Sequence, residues 1–282
     1  MPQTIAMLLQ AASLKLRNVT DVPELEAEIL LAHVLQVSRS YLYTWPEKSI
    51  EEKQEVEFQR CIVKRINREP IAYITGHREF WSLDLSVTPS VLIPRPETEL
   101  LVELALQKIQ TKNALIADLG TGSGAISLAL ASERPNWSIY ATDKSHEALD
   151  IAKQNAERLH LTTISFYQGE WCEALPQLKY DAIVSNPPYL AQDDPHLQQG
   201  DLRFEPLSAL ASGQQGLDDI REIIQSARDY LKPQGLLLLE HGYTQAQKVS
   251  SIFQEAGYNT IEIYQDFAGQ DRVTIASYQG LI

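Results

Sequence analysis

Between residues 116 and 131 the chain reads IADLGTGSGAISLALA: an apolar run that includes Asp118, glycines at 120, 122 and 124, then an Ala/Leu stretch. An apolar strand that turns on glycines directly into a helix is the opening of a βαβ unit. Its next parallel partner can be reached only by a crossover connection. Downstream the chain keeps that rhythm. Strand-like runs at 114–119, 138–142, 163–168, 181–185 and 235–240 alternate with helical stretches, and two more at 260–265 and 272–277 follow. Alternation of this kind predicts an α/β fold, a mostly parallel sheet with helices on both faces.

The first 75 residues have a different texture. Ile5, Leu8, Leu9, Ala12 and Leu16 recur at helical spacing. Asp21 as a cap, Pro23 in the first turn and Glu24 behind it predict a second helix with Leu30, Leu31, Val34 and Leu35 on its apolar face. A third helix is predicted over 50–68, with Phe58, Ile62 and Ile66 as its stripe. Lys53, Arg60, Lys64 and Arg68, with Glu57 among them, read as its solvated face. The predicted organisation is therefore a small N-terminal helical domain, 1–75, and a larger α/β domain, 76–282. The larger domain opens on a hairpin at 79–88 within a linker, 76–95. Pro96 suits the first position of the helix that follows.

Composition narrows the function. The apolar fraction of 44% and charged fraction of 22% are globular values. No apolar run approaches the roughly 18 residues of a membrane span. The start, MPQTIAMLLQAASLKL, has neither the basic end nor the apolar centre of a signal peptide. Cys61 and Cys172 stand far apart, which excludes a disulfide framework and fits a reducing cytoplasm. Net charge is −13, and it is unevenly spread: residues 1–75 carry 9 basic and 10 acidic side chains, residues 76–282 carry 15 and 27. So acidic a body gains little from counterion release on a phosphate backbone, so no direct nucleic-acid binding is expected.

Asp143 ends the next strand, 23 residues after Gly120, where a carboxylate can accept from ribose hydroxyls. Up to this point a dinucleotide would serve as well, since Gly120, Gly122 and Ala125 satisfy the relaxed dinucleotide pattern. A second motif discriminates. YDAIVSNPPYLAQ places Asn186-Pro187-Pro188-Tyr189 immediately after a strand. Asn186 precedes a proline and Pro187 has a fixed φ, so the loop is stiff. The Asn186 side-chain oxygen and the Pro187 carbonyl can act as two fixed acceptors for the two hydrogens of a planar NH₂ group, with Tyr189 covering it. NAD-dependent oxidoreduction leaves this loop idle. Methylation of a nucleic-acid amino group fits the loop but not the charge, and a non-catalytic cofactor-binding protein has no use for an intact NPPY.

DLGTGSG with NPPY resembles the S-adenosylmethionine-dependent amino-group methyltransferases. VLIPRPETE (91–99), DLRFEPLSAL (201–210), EHG (240–242) and DFAGQDRV (266–273) narrow the likeness to one branch. That branch is the protein-(glutamine-N5) methyltransferases of peptide chain release factors, the HemK/PrmC family. The likeness covers essentially the whole chain. It implies a seven-stranded Rossmann-like class I methyltransferase domain whose last strand is antiparallel, with the helical domain docking the substrate. The cofactor is then S-adenosyl-L-methionine, with S-adenosyl-L-homocysteine as product. The target is the glutamine of a Gly-Gly-Gln motif, so release factors are the protein partners of a cytoplasmic monomer. It also implies site roles. Gly120, Thr121, Gly122, Ser123 and Gly124 bind the cofactor with Asp143, Trp171 and Asn186. Asn186, Pro187, Pro188 and Tyr189 hold the target, with Asn186, Pro187 and Tyr189 acting on it. Arg95 and Glu97 are further candidates for the site's lining.

Overall fold

The computed structural model describes residues 3–280. The chain divides into two compact units, one up to His77 and one from Arg78.

The first unit is helical: α1 (Ile5–Leu16), α2 (Pro23–Leu35), α3 (Arg39–Thr44), α4 (Glu52–Ile66) and α5 (Ile71–Thr75). The short α3 and α5 leave too few residues for a periodicity to show in sequence. Thr4 caps α1 by accepting from the Met7 N–H. Pro23 is the first residue of α2, so the cap position falls on Val22 and not on the expected Asp21. In α4 the Glu51 and Gln54 side chains cap each other's backbone. Its buried stripe is Phe58, Cys61, Ile62 and Arg65. The expected Ile66 lies about 80° round the helix from Phe58 and is 40% exposed. Arg65 enters the unit's interior to pair with Glu26 of α2, Nε to Oε2 at 2.8 Å and Nη2 to Oε1 at 2.9 Å.

The second unit begins one residue into the hairpin of β1 (His77–Phe80) and β2 (Leu83–Ser86). Its two-residue turn, Trp81-Ser82, has positive φ at both positions, 53° and 57°. Such turns usually need Asn-Gly. Here outside bonds hold it: the Trp81 N–H donates to Glu99 at 2.9 Å and its indole to Glu133 at 3.0 Å. Pro96 opens a 3₁₀ turn, Pro96–Thr98, that leads into α6 (Glu99–Lys108). The doubly wound part follows as β3 (Leu115–Leu119), α7 (Ala125–Glu133), β4 (Ser138–Asp143), α8 (His146–Arg158), β5 (Ile164–Gln168) and β6 (Tyr180–Ser185). After a long connection come α9 (Asp218–Ala227), β7 (Leu231–Glu240), α10 (Ala246–Glu255), β8 (Asn259–Gln265) and β9 (Asp271–Tyr278).

The sheet has seven strands in the order β5-β4-β3-β6-β7-β9-β8, parallel except for β9, which runs antiparallel to both neighbours. All seven sequence-predicted strands are present. β7 starts four residues earlier than expected, at Leu231, because it absorbs an irregularity where Pro233 and Gln234 interrupt the register against β6. Alternate residues of the central strands feed two cores. Ile116, Ala182 and Leu238 face α6 and α7, while Ala117, Ile183 and Leu237 face α9 and α10. No helix among the described residues is long and apolar enough to cross a membrane.

Removing one partner of a buried ion pair strands the other. Glu26→Ala is expected to destabilise the helical unit by about 3–5 kcal/mol, whereas a double replacement of Glu26 and Arg65 by apolar residues of similar volume costs far less. Urea unfolding of the three proteins, followed by circular dichroism, measures the difference.

Candidate active site

The reversal of strand order puts the carboxyl ends of β3 and β6 side by side at the sheet's switch point, where ligands of doubly wound folds bind. Asp118 sits at that end of β3, fully buried. Its Oδ2 accepts from the Thr121 hydroxyl (2.7 Å), the Ser127 hydroxyl (2.6 Å) and the Ser127 N–H (3.2 Å). These bonds fold the glycine loop onto the first turn of α7. Burial outweighs them and pushes the carboxyl up to about 6. Its Oδ1 has no partner among the described residues.

A cavity of about 270 Å³ opens in front of this loop. Gly120, Gly122, Asp143, Trp171 and Asn186 all line it, together with Pro188. Gly120 has φ +70°, and a Cβ there would come within 3.0 Å of the Trp171 ring. The indole thus lies against bare backbone, in a left-handed conformation of its own (φ 42°). Its Nε1 is buried and has no partner among the described residues. Asp143 accepts from the Gly122 N–H and the Ser145 N–H, both at 2.9 Å. Burial raises its carboxyl above the ordinary range, against those two bonds. Thr121, Ser123 and Gly124 stand behind the cavity wall. Thr121 holds Asp118, the Ser123 carbonyl accepts from Asn155, and Gly124 packs on Leu128 and Ala152.

A smaller cavity of about 130 Å³ adjoins the first. Arg95, Asn186, Pro187, Pro188 and Tyr189 line it with Leu92 and residues of the 190–216 connection. Asn186 and Pro188 line both cavities. The connection is built of three 3₁₀ turns and a bridge from Leu190 to Ala211. Glu205 anchors it: this buried carboxylate accepts from the Ile93 N–H at 3.0 Å and pairs with Arg95. Its far end closes on Gly216 (φ +68°), where a Cβ would overlap the Tyr189 carbonyl.

Three residues that sequence reading left without a role support the NPPY loop from below. The Asn186 Nδ2 donates to Thr98 Oγ1 at 3.0 Å. The Tyr189 hydroxyl faces Glu240 Oε1 at 3.4 Å. Gln245 Nε2 donates to the Tyr189 carbonyl at 2.9 Å and the Gly216 carbonyl at 3.1 Å. Glu240, at the end of β7, is 1% exposed and its Oε2 makes no hydrogen bond among the described residues. Burial drives its carboxyl up to about 7, against the Thr98 hydroxyl, the Arg272 charge and the Tyr189 hydroxyl. Thr98 and Glu240 fall within IPRPETE and EHG, but only the tertiary fold brings those motifs to the NPPY loop. Glu97 of the same turn also touches the site electrostatically, raising the Glu240 carboxyl. Among the described residues no cluster of His, Cys, Asp and Glu could hold a metal.

The chain resembles known proteins along most of its length. Residues 7–76 match the PrmC N-terminal domain model and residues 96–201 the methyltransferase small domain model. A release factor glutamine methyltransferase of Shewanella oneidensis is 47% identical over 278 residues, 99% of this chain and 97% of that one. The protein of the same name from Coxiella burnetii is 50% identical over 265 residues, covering 94% and 95%. Among solved structures, a methyltransferase from Pyrococcus furiosus shares the fold with TM-score 0.55 and 18% identity, over 79% of this chain and 98% of that one.

The Glu240 carboxyl is raised from 4.5 to about 7. Such a group favours the folded state fully below pH 4.5, and that advantage is lost as pH rises through about 7. Glu240→Gln cannot ionise. Its unfolding free energy relative to wild type should therefore increase between pH 4.5 and 7.5, by up to about 3 kcal/mol. Denaturant titrations across that range read the sign directly.

Proposed function

The chain belongs to the release factor glutamine methyltransferases, and from that premise we propose that its two adjoining cavities hold the methyl donor and the target glutamine, with Asn186 between them. The family reaction is methyl transfer to the side-chain amide nitrogen of a glutamine in a release factor. The observation that carries the site assignment is that Asn186 and Pro188 line both cavities.

The class I fold and the family imply dependence on S-adenosylmethionine, and the larger cavity's residues fit it. Asp143 retains free lone pairs for ribose hydroxyls. Two buried polar groups near the loop, Asp118 Oδ1 and Trp171 Nε1, are an acceptor and a donor without partners among the described residues. The amides at the α7 N-terminus are free of intrahelical bonds. When bound, the sulfonium supplies an electrophilic methyl group. Trp171 would border the adenine and Asp143 the ribose, leaving Asn186 nearest the methyl group.

In the smaller cavity the Asn186 oxygen and the Pro187 carbonyl would accept the two amide hydrogens. An amide nitrogen is a poor nucleophile because its lone pair is delocalised into the carbonyl. Two fixed acceptors turn that lone pair toward the methyl carbon and stabilise the positive charge that grows on nitrogen. A glutamate at the same place offers no N–H and meets two acceptors, which excludes it. Tyr189 closes one side of the cavity. The reaction is placed in the cytoplasm, with the release factor as the protein partner of a monomeric enzyme.

The helical unit is the proposed docking surface for the rest of the release factor. Met7, Leu14, Trp45 and Val63 are each more than half exposed, and Val56 nearly so. Val56 and Val63 lie seven residues apart on one face of α4.

Two outcomes test these assignments. Asn186→Ala is expected to lower kcat on a purified release factor by at least about 10²-fold, with labelled-methyl transfer located by mass spectrometry. Asn186→Asp keeps the acceptor and should retain partial activity, while a release factor carrying glutamate at the target stays unmodified. Full turnover by Asn186→Ala would reduce the NPPY loop to a rigid turn. For docking, the Val56→Asp, Val63→Asp double variant should raise KM for the whole factor with S-adenosylmethionine affinity unchanged. An unaltered KM would remove this helix face from the interface.

A further inference from the structure

The tetrapeptide Asn186–Tyr189 is stiff, and a stiff segment passes on any movement of its ends. Asn186 and Pro187 each precede a proline, and Pro187 and Pro188 have fixed φ, so the four residues shift as one piece. Such a piece keeps two acceptors in place only if it is fastened at both ends. Its start is fastened by β6 and by the Asn186 Nδ2 bond to Thr98 at 3.0 Å. Its other end is Tyr189, where the connection toward α9 begins.

One side chain fastens that end. Gln245 Nε2 donates to the Tyr189 carbonyl at 2.9 Å and is that carbonyl's only donor among the described residues. The same nitrogen meets the carbonyls of Gly216 at 3.1 Å and Gln215 at 3.3 Å, where the connection returns. The amide is not reversible. Its Oε1 accepts from the Gly242 N–H at 2.9 Å, and turned over it would set an oxygen against carbonyl oxygens. Its base is equally fixed. The Gln245 N–H donates to the Gly242 carbonyl at 2.8 Å, and the Gln245 carbonyl accepts from the Val249 N–H at 2.9 Å in the first turn of α10. Without an NH₂ between them the Tyr189 and Gly216 carbonyls would converge unpaired, in segments so close that a Cβ on Gly216 would lie 2.1 Å from the Tyr189 oxygen.

We propose that Gln245 is a positioning residue for methyl transfer: its amide fixes the far end of the tetrapeptide, and through it the Pro187 carbonyl and the Tyr189 wall of the target cavity. This rests on the assignment of the smaller cavity to the target glutamine and deepens it.

The test compares Gln245→Leu, Gln245→Glu and Asn186→Ala with wild type on a purified release factor, below the melting temperature of each, with S-adenosylmethionine affinity measured by calorimetry on the same samples. Gln245→Leu fills a similar volume and makes no hydrogen bond. It is expected to lower kcat at least about tenfold, the scale of a misplaced reacting group. The Kd for S-adenosylmethionine should hold, since neither Gln245 nor Tyr189 lines the larger cavity. Gln245→Glu gives the sharper reading. Ionised, it sets a charge against the carbonyls and should be no faster than Gln245→Leu. Protonated, it has an O–H for the Tyr189 carbonyl and an oxygen for the Gly242 N–H. Its kcat relative to wild type should therefore climb as pH falls from about 8 to about 5.5, because facing carbonyls raise a carboxyl's pKa. The ratio for Gln245→Leu should stay flat. Taking ratios to wild type cancels the titration of Glu240 beside Tyr189. A purely structural role would lower the melting temperature and leave the kcat of folded enzyme unchanged. Should Gln245→Leu melt early, the Gln245→Glu profile carries the same reading. Wild-type kcat in Gln245→Leu overturns the inference, as does a Gln245→Glu ratio that does not change with pH. If Gln245→Leu turns over normally while Asn186→Ala is inactive, only this inference falls. If Asn186→Ala is active, the assignment beneath it falls instead.

Discussion

A carboxylate removed from water at the end of a strand is the constraint on which this site is built. Asp118 is paid for by three donors that all belong to one short stretch of chain, Thr121 to Ser127. The buried charge can be satisfied only if the glycine loop turns sharply and α7 starts immediately. The loop then presents Gly120 as bare backbone to Trp171 and Gly122 to Asp143. Loosening Asp118 would release the helix start, the indole and the second carboxylate together. The acceptor side of the site follows the same logic from Glu240, one strand beyond β6, so both halves rest on acids at the carboxyl edge of the sheet.

The hairpin before the doubly wound part is more than a connection. Asn155 in α8 is fully buried and spans three segments. It accepts from the Ser86 N–H and donates to the Ser86 and Ser123 carbonyls. The second strand of the hairpin is thus tied through one amide to the loop in front of the large cavity. The strained Trp81-Ser82 turn is fixed in turn to α6 and α7. Strain of this kind persists where surrounding bonds over-determine the backbone. Together these contacts join residues 78–93 to the wall of the cavity they help to line.

The strands were legible because most are short apolar or alternating runs set off by polar turns, and all seven are present, though β7 begins four residues before its apolar run. The glycine loop, Asp143 and NPPY could be singled out because their signals are local, a turn, a strand end and a proline-stiffened tetrapeptide, and the fold brings all three to the two adjoining cavities. Thr98, Glu240 and Gln245 were not. Their roles are made by contacts across 51 to 88 residues of sequence, and a threonine after a proline-led turn looks the same whether or not an asparagine lies above it. Asp21 failed as a cap by one position, because a proline fixes where a helix begins more firmly than an aspartate does. Ile66 failed because a stripe extended by a full eight residues drifts off the buried face.

The connection from Leu190 to Gly216 leaves the site and returns to it within the reach of one side chain. Gln245 holds the Tyr189 carbonyl at its start and the Gly216 carbonyl at its end. The span between these two points is therefore a closed excursion, whose entropic cost grows only with the logarithm of its length. Glu205 pins its middle to Ile93 and Arg95, so it is on either side of that anchor that length and composition can change without moving the tetrapeptide at its root. The floor of the smaller cavity is held by buried groups that tolerate little change, and its rim is tied back to the same body at Glu205 and at the two carbonyls that Gln245 holds.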